Sequence, residues 1–220
     1  MKTNLTELVF VLDRSGSMSG LEDDTIGGFN SMLEKQQALD DPCLVTTILF
    51  DHEYFTLHNR VDIHKIAPLT RKDYEPRGST ALLDALGKSI QDTIKTQKFA
   101  LAHDRAEKVL FVVITDGYEN SSRYFNAEEI KHLVEKQQFI YDWEFIFLGA
   151  NIDAISTAAD LGFHKRNVSD FVPDGAGVQT VFNSIGCAIK SCRMNPAGEK
   201  LSADWSANVR NDFAQRGNKH

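Results

Sequence analysis

The stretch VFVLDRSGSMSG, from Val9 to Gly20, joins an apolar strand to a loop rich in hydroxyl groups. Its first four residues are apolar, as in a strand covered on both faces, and one aspartate, three serines and two glycines follow closely. A turn and a helix cap would explain each serine separately. A cation held by several oxygen atoms would explain all of them together. The rest of the sequence favours the cation.

The composition is that of an ordinary globular domain. Of 220 residues, 42% are hydrophobic and 25% are charged, and the net charge is -7. This acidic balance argues against a nucleic-acid partner, because such surfaces are usually basic. No apolar run approaches the roughly 20 residues of a membrane span, and the short N-terminal run is unlike a signal peptide. We therefore expect no nucleic acid, no membrane and a monomer.

The cysteines are sparse. Three occur, and none has C-x-x-C spacing; they are Cys43, Cys187 and Cys192. This pattern favours a reducing cytoplasmic location over a disulfide scaffold or a zinc site.

Strand-like and helix-like segments alternate along the chain. TELVFVL predicts the first strand, and KVLFVVITDG predicts a central one because every residue from Val109 to Ile114 is apolar. CLVTTILF and EYFTLH are separated only by Asp51 and His52, which predicts a hairpin. The alternation predicts an α/β fold with a doubly wound, mostly parallel six-stranded sheet. One edge strand is antiparallel, and helices cover both faces.

Local signals refine the predicted helices. Ser19 and Glu22 predict a capping box at the start of the first helix. The pair Gly27-Gly28 within that helix predicts close packing against the sheet, with a local kink as the alternative, because glycine is costly in a helix. The residues from Asn59 to Pro76 show no clear period, and we expect irregular structure there.

The tail has its own pattern. Its apolar residues recur every four positions and predict a short amphipathic helix docked onto its own domain, with a partner contact as the alternative; they are Leu201, Trp205, Val209 and Phe213. We predict a domain over residues 1–195 and an extension over 196–220 that ends in disorder.

Two carboxylates follow predicted strands. Asp13 comes after the first strand and Asp116 after VLFVVIT. In a doubly wound sheet, ligands bind beyond the carboxyl ends of the strands, where the strand order reverses. If these two strands are neighbours, the carboxylates face each other and repel unless one is protonated or a cation lies between them.

Hydroxyl groups accompany these carboxylates. Ser15 and Ser17 follow Asp13 across Gly16, and Thr80 enters from the loop before ALLDAL. Taken singly, each has an ordinary explanation as a turn or cap residue, Thr80 as an N-cap. Together they form an all-oxygen set that suits a hard cation, above all Mg²⁺.

The set resembles the metal-ion-dependent adhesion site (MIDAS) of von Willebrand factor A (vWA) domains. That site has Asp-x-Ser-x-Ser after the first strand, a threonine in a middle loop and an aspartate after the central strand. The matching positions are Asp13, Ser15, Ser17, Thr80 and Asp116. The contexts STALLDAL and FIFLGANIDAI are similar to bacterial and phage members. The resemblance covers about Leu5 to Lys190.

The resemblance implies a non-enzymatic protein–protein interaction module. In the family the hydroxyls contact the metal directly or nearly so, and the aspartates act mainly through water. An acidic side chain of the partner protein completes the shell. We expect Mg²⁺, with Mn²⁺ or Ca²⁺ as alternatives, and a scaffold or recruitment role in a bacterial or phage stress-response or regulatory system.

A metal-dependent, phosphatase-like hydrolase with Asp13 as nucleophile is the competing interpretation. Such phosphatases carry a second aspartate two residues later, where this chain has Ser15, and the sequence has neither a P-loop nor a G-x-S-x-G elbow. The spacing of His52, His58 and His64 also raises a zinc site, but exposed residues on a hairpin edge explain it better. Further candidates for partner contact are Asp51, His52, Glu53, Tyr118, Glu119 and Asn151.

Overall fold

The computed structural model describes residues 4–217, which form a six-stranded sheet with helices around it. The strands are β1 (Thr6–Asp13), β2 (Cys43–Phe50), β3 (Tyr54–Asp62), β4 (Lys108–Thr115), β5 (Glu144–Gly149) and β6 (Val168–Asp170). Their order in the sheet is β3-β2-β1-β4-β5-β6, and only β3 runs antiparallel to its neighbour. The predicted fold class, with its antiparallel edge strand, is confirmed.

Helices lie on both faces of this sheet. They are α1 (Glu22–Gln37), α2 (Leu82–Phe99), α3 (Ala127–Ile140), α4 (Ala154–Asp160), α5 (Gly175–Met194) and α6 (Ala207–Arg216). Alternate residues of β1 enter two separate cores, with Phe10 in the core under α1 and α5 and Val11 in the core under α2 and α3. Every residue of β1, β4 and β5 is buried, as expected for strands covered on both faces. No helix within residues 4–217 has the length and apolarity to cross a bilayer.

The start of α1 differs from the prediction. The helix begins at Glu22, its N-cap position is Leu21, and neither Leu21 nor Ser19 caps it with a side chain. Glu22 instead accepts a hydrogen bond from the N–H of Gly20 at 2.8 Å. The predicted capping box is wrong because the chain turns at Gly20, with φ of 92°, between Ser19 and the helix.

Of the glycine pair in α1, Gly28 packs against a helix and not against the sheet. A Cβ on Gly28 would lie 2.3 Å from Cδ2 of Phe182 in α5, whereas a Cβ on Gly27 would meet no atom within 4 Å. Only Gly28 is therefore required for close packing. The irregular segment also begins later than predicted, because β3 extends to Asp62 and a short 3-10 helix follows over Ile63–Lys65.

The tail packs onto the same core. Leu201, Trp205 and Val209 are buried and belong to the cluster that holds Phe29 and Phe182. A 3-10 helix over Ala203–Ser206 precedes α6, so the predicted helix is in two parts. The division into a domain over 1–195 and an extension over 196–220 stays a prediction. The final residues for which we predict disorder include 218–220, which lie outside the described residues.

Candidate metal-binding site

Asp13 ends β1 at the edge where the carboxyl ends of the parallel strands meet, and its side chain is fully buried. Both carboxylate oxygens accept hydrogen bonds. Oδ1 accepts from the N–H of Ser15 at 2.7 Å, and Oδ2 accepts from the hydroxyl of Thr115 at 2.6 Å. The backbone carbonyl of Asp13 accepts from the phenol of Tyr74. These contacts fix the carboxylate between β1 and β4.

A chain of hydrogen bonds connects the loop after β1 to the residue after β4. The Oγ atoms of Ser15 and Ser17 lie 3.0 Å apart, and Ser17 donates to Oδ1 of Asp116 at 2.5 Å. Ser15 is buried and Ser17 is exposed, so the cluster reaches the surface at Ser17. The expectation that the two aspartates follow neighbouring strands is met, since β1 and β4 pair in parallel.

Thr80 joins this group from a different loop. A Cβ on Gly117 would lie 3.1 Å from Oγ of Ser17, 3.2 Å from Oγ1 of Thr80 and 4.0 Å from Oγ of Ser15. The three hydroxyls therefore converge on the space beside Gly117, which is open because glycine has no Cβ. Thr80 is not the cap of α2, because that helix begins at Leu82 with Ala81 in the N-cap position.

The two carboxylates are costly to ionise. Burial raises the pKa of Asp13 to about 6; the nearby Asp116 adds to the rise, while hydrogen bonds from Thr115 and Ser15 oppose it. Burial also raises the pKa of Asp116, and the hydrogen bond from Ser17 opposes that rise. A cation beside the two carboxylates would lower the cost of their negative charge.

The loop after β4 holds Thr80 in place. Asn120 makes two hydrogen bonds to the backbone of Thr80. Its Oδ1 accepts from the N–H of Thr80 at 2.9 Å, and its own N–H donates to the carbonyl of Thr80 at 3.0 Å. Glu119, predicted as a partner contact, accepts from the backbone N–H of Leu83 at 2.9 Å and from two amides of its own loop. Its carboxylate is thus engaged within the chain, whereas Tyr118 is 62% exposed.

The turn between β2 and β3 carries Asp51, His52 and Glu53. Their candidate ligand atoms all lie within 4.8 Å of one another. However, Nε of Arg14 and Nε of Arg77 each lie 3.0 Å from Oδ2 of the buried Asp51. Two guanidinium groups on one carboxylate disfavour a cation at this turn.

The three evenly spaced histidines lie on different elements. His52 is in the turn, His58 on β3 and His64 in the 3-10 helix after β3. Within residues 4–217, neither His58 nor His64 joins a group of three candidate metal ligands. Their regular spacing does not produce a site.

Sequence reasoning missed the residues that hold Asp13. Thr115 could have been found from the sequence, because it is a hydroxyl residue directly before Asp116 at the end of an apolar strand. Tyr74 could not, because it lies in a segment without periodic pattern and reaches Asp13 across 61 positions.

No family model matches the sequence, and no curated protein matches it detectably. Solved structures match its fold. A von Willebrand factor type A protein from Catenulispora acidiphila is 12% identical with a TM-score of 0.57, covering 83% of this chain and 42% of its own. Proximal thread matrix protein 1 from the mussel byssus, with a zinc-occupied MIDAS motif, is 14% identical with a TM-score of 0.56. The match covers 82% of this chain and 44% of the mussel protein.

The manganese-loaded TRAP protein of Plasmodium vivax is 17% identical with a TM-score of 0.56, covering 83% of this chain and 74% of its own. The chain thus spans less than half the length of the Catenulispora and mussel proteins. At these identities the likeness concerns the fold. This chain has the fold of vWA domains.

Proposed function

We propose that the chain is a non-enzymatic, divalent-metal-dependent protein–protein interaction module. The metal is Mg²⁺, with Mn²⁺ or Ca²⁺ as alternatives, and its site comprises Asp13, Ser15, Ser17, Thr80 and Asp116. The observation that carries the proposal is the convergence of three hydroxyls around Gly117, beside two buried carboxylates.

The donor set fits a hard cation. All candidate ligand atoms are oxygens, which suit Mg²⁺, Mn²⁺ or Ca²⁺ better than softer metals. The hydroxyls are neutral, and if the aspartates act through water, they offset the metal's charge only in part. A metal here would supply a positive centre that attracts an anionic group. That attraction is how an acidic protein could bind an acidic residue of its partner.

The surroundings of the site suit a protein partner. Tyr118, directly after Gly117, is 62% exposed, and Tyr124 in the same loop is 82% exposed. Exposed tyrosines are enriched at protein–protein interfaces because they combine an apolar ring with a polar tip.

The hydrolase alternative has less support. Asp13 is fully buried and its carboxylate is held by hydrogen bonds from Ser15 and Thr115, so it is not presented to a substrate as a nucleophile. We further propose a scaffold or recruitment role in a bacterial or phage stress-response or regulatory system. The similarity of the STALLDAL context to bacterial and phage vWA members supports this role. The free cysteines, of which Cys187 is exposed, support a reducing cytoplasm.

Calorimetric titration of the EDTA-treated full chain with Mn²⁺ and Mg²⁺ tests the metal site. We expect one site in the wild type, none in Asp116→Ala, a weaker one in Thr80→Ala and a retained one in Thr80→Ser. Asp170→Asn is the matched control, since Asp170 ends β6 at the same edge of the sheet but bonds to the N–H of Ala154. An unchanged site in Asp116→Ala would contradict the assignment.

Pull-down with the wild-type chain in Mg²⁺ and in EDTA tests the partner. We expect a protein that is captured in Mg²⁺, lost in EDTA and lost in Thr80→Ala. Substituting one glutamate or aspartate of that protein should abolish capture. A partner retained in EDTA and by Thr80→Ala would show that the metal site is not the binding element.

A further inference from the structure

We propose that Asp51 is a positioning residue that holds two loops of the metal site in register. The inference rests on the proposed metal function. Asp51 directly follows β2 and is fully buried, although it is not one of the candidate ligands. Its contacts reach the loop that carries Ser15 and the loop that carries Thr80.

The backbone and the side chain of Asp51 both contact the loop that carries Thr80. Its carbonyl accepts a hydrogen bond from the N–H of Ala81 at 2.9 Å, one residue beyond Thr80. Its Oδ2 accepts from Nε of Arg77 at 3.0 Å, three residues before Thr80. Thr80 is therefore fixed on both sides by one residue of the hairpin turn.

The carboxylate of Asp51 also reaches the loop after β1. Nε of Arg14 lies 3.0 Å from Oδ2, and Arg14 is the residue between Asp13 and Ser15. Arg14 is nearly buried, and its guanidinium lies over the ring of Phe55 at 5.6 Å. Moving Asp51 would thus displace the side chain of Arg14, the residue that separates two candidate ligands in the sequence.

Backbone hydrogen bonds join the same two loops directly. Arg77 donates to the carbonyl of Arg14 at 2.9 Å, and Gly16 donates to the carbonyl of Gly78 at 3.1 Å. The side chains of the two arginines also meet, because Nε of each lies 3.0 Å from Oδ2 of Asp51, and two guanidinium groups repel each other without a shared counter-charge. Asp51 supplies that charge. Glu53 adds to it from the surface, accepting from Nη2 of Arg77 at 2.7 Å.

Loss of this charge should act on metal affinity in two ways. The loops lose the bridge between Arg14 and Arg77, so the hydroxyls of Ser15 and Thr80 are held less firmly. The buried guanidinium of Arg14 also loses the carboxylate at 3.0 Å, and its positive charge then disfavours a cation nearby. The same charges explain why the turn itself is not the metal site.

The test compares Asp51→Asn with a matched control, Glu7→Gln. Glu7 is also a buried carboxylate paired with an arginine, Arg60 at 3.6 Å, but it lies near the start of β1, away from the site. Asp51→Asn should melt at a lower temperature, because it leaves Arg14 and Arg77 without their shared counter-charge. We expect the Kd for Mn²⁺ to rise about ten-fold or more in Asp51→Asn and by less than about two-fold in Glu7→Gln.

A second readout needs no metal. Hydrogen exchange in EDTA should be faster at the amides of Gly16 and Ala81 in Asp51→Asn and unchanged there in Glu7→Gln. If Asp51→Asn does not fold, Arg77→Gln tests the same link, because the Arg77 side chain is 50% exposed. It should weaken Mn²⁺ binding and speed exchange at the same amides.

The outcomes separate the two proposals. A wild-type chain that does not bind Mn²⁺ overturns the proposed function and the role of Asp51 with it. Wild-type binding with unchanged affinity in Asp51→Asn, or with an equal loss in Glu7→Gln, overturns only the role of Asp51.

Discussion

The hydroxyl oxygen of Ser17 lies 2.5 Å from Oδ1 of Asp116, although 99 positions separate the two residues. The contact follows from topology, because β1 and β4 are parallel neighbours at the point where the strand order of the sheet reverses. Loops at such a point diverge to opposite faces and leave a crevice between them. The candidate site lies in that crevice, and its parts come from three loops.

Asp13→Asn should stabilise the metal-free protein at neutral pH. The buried carboxyl of Asp13 has its pKa raised from 3.8 to about 6, so its contribution to stability is full below pH 3.8 and is lost as pH rises through 6. Asparagine carries no such cost, which is about 2–3 kcal/mol at neutral pH. Its amide group could donate to Thr115, whose hydroxyl lies 3.2 Å from the carbonyl of Gly117 and could donate there instead.

Urea unfolding in EDTA at pH 4 and pH 7.5 checks this prediction. The free energy of unfolding of Asp13→Asn should exceed that of the wild type by an amount that grows from pH 4 to pH 7 and stays level above pH 7. With saturating Mg²⁺, the order should reverse, because only the wild type binds the metal and gains stability from it. A variant that is less stable than the wild type in EDTA at pH 7.5 would contradict the pKa argument.

The sheet, and the grouping of the candidate residues at one edge of it, were predictable from sequence because their signals are local. The apolar run from Val109 to Ile114 identifies a strand by itself, and DRSGS supplies three of the candidate ligands within five positions. Strand ends are also where an α/β sheet binds ligands, so Asp116 could be placed without knowing the contacts.

The supporting residues were not predictable because their partners are distant in sequence. Gly28 was expected to face the sheet, yet it faces Phe182 of α5, and no period in α1 indicates which neighbour a glycine meets. Asp51 looked like a turn residue, and its role depends on two arginines from other loops. Such contacts arise only from the tertiary arrangement.

The purified chain should not hydrolyse p-nitrophenyl phosphate or ATP above background in Mg²⁺ or Mn²⁺. The carboxylate of Asp13 is fully buried, and Ser15 stands where a phosphatase of this kind has its acid. Phosphate release at matched protein concentrations for the wild type and Asp13→Asn is the measurement. Metal-dependent turnover that disappears in Asp13→Asn would restore the hydrolase interpretation.

Trp205→Ala should destabilise the fold by about 3 kcal/mol without changing metal affinity. Trp205 is 8% exposed, belongs to the core under α5 and donates from its indole to the carbonyl of Arg166 at 3.3 Å. Tyr124→Ala, at an 82% exposed position, is the control and should leave stability nearly unchanged. Thermal melting and Mn²⁺ titration separate the two effects. A weaker Mn²⁺ site in folded Trp205→Ala would show that the tail acts on the metal centre.

Gly117→Ala should weaken metal binding while Gly27→Ala should not. A Cβ at 117 would lie 3.1 Å from Oγ of Ser17 and 3.2 Å from Oγ1 of Thr80, so both hydroxyls would have to shift by a few tenths of an ångström. Gly27 lies within α1, and a Cβ there would meet no atom within 4 Å. Alanine at 27 should therefore stabilise the protein by about 0.5–1 kcal/mol through helix propensity alone.

Mn²⁺ titration and melting of both glycine variants are the measurements. We expect the Kd of Gly117→Ala to rise about ten-fold, a change of the size seen when groups that orient metal ligands are altered. Gly27→Ala should bind Mn²⁺ as the wild type does and melt at a higher temperature. If Gly117→Ala binds Mn²⁺ with wild-type affinity, the space between Ser17 and Thr80 is not where the metal is held. The hydroxyl cluster would then serve only to connect the loops.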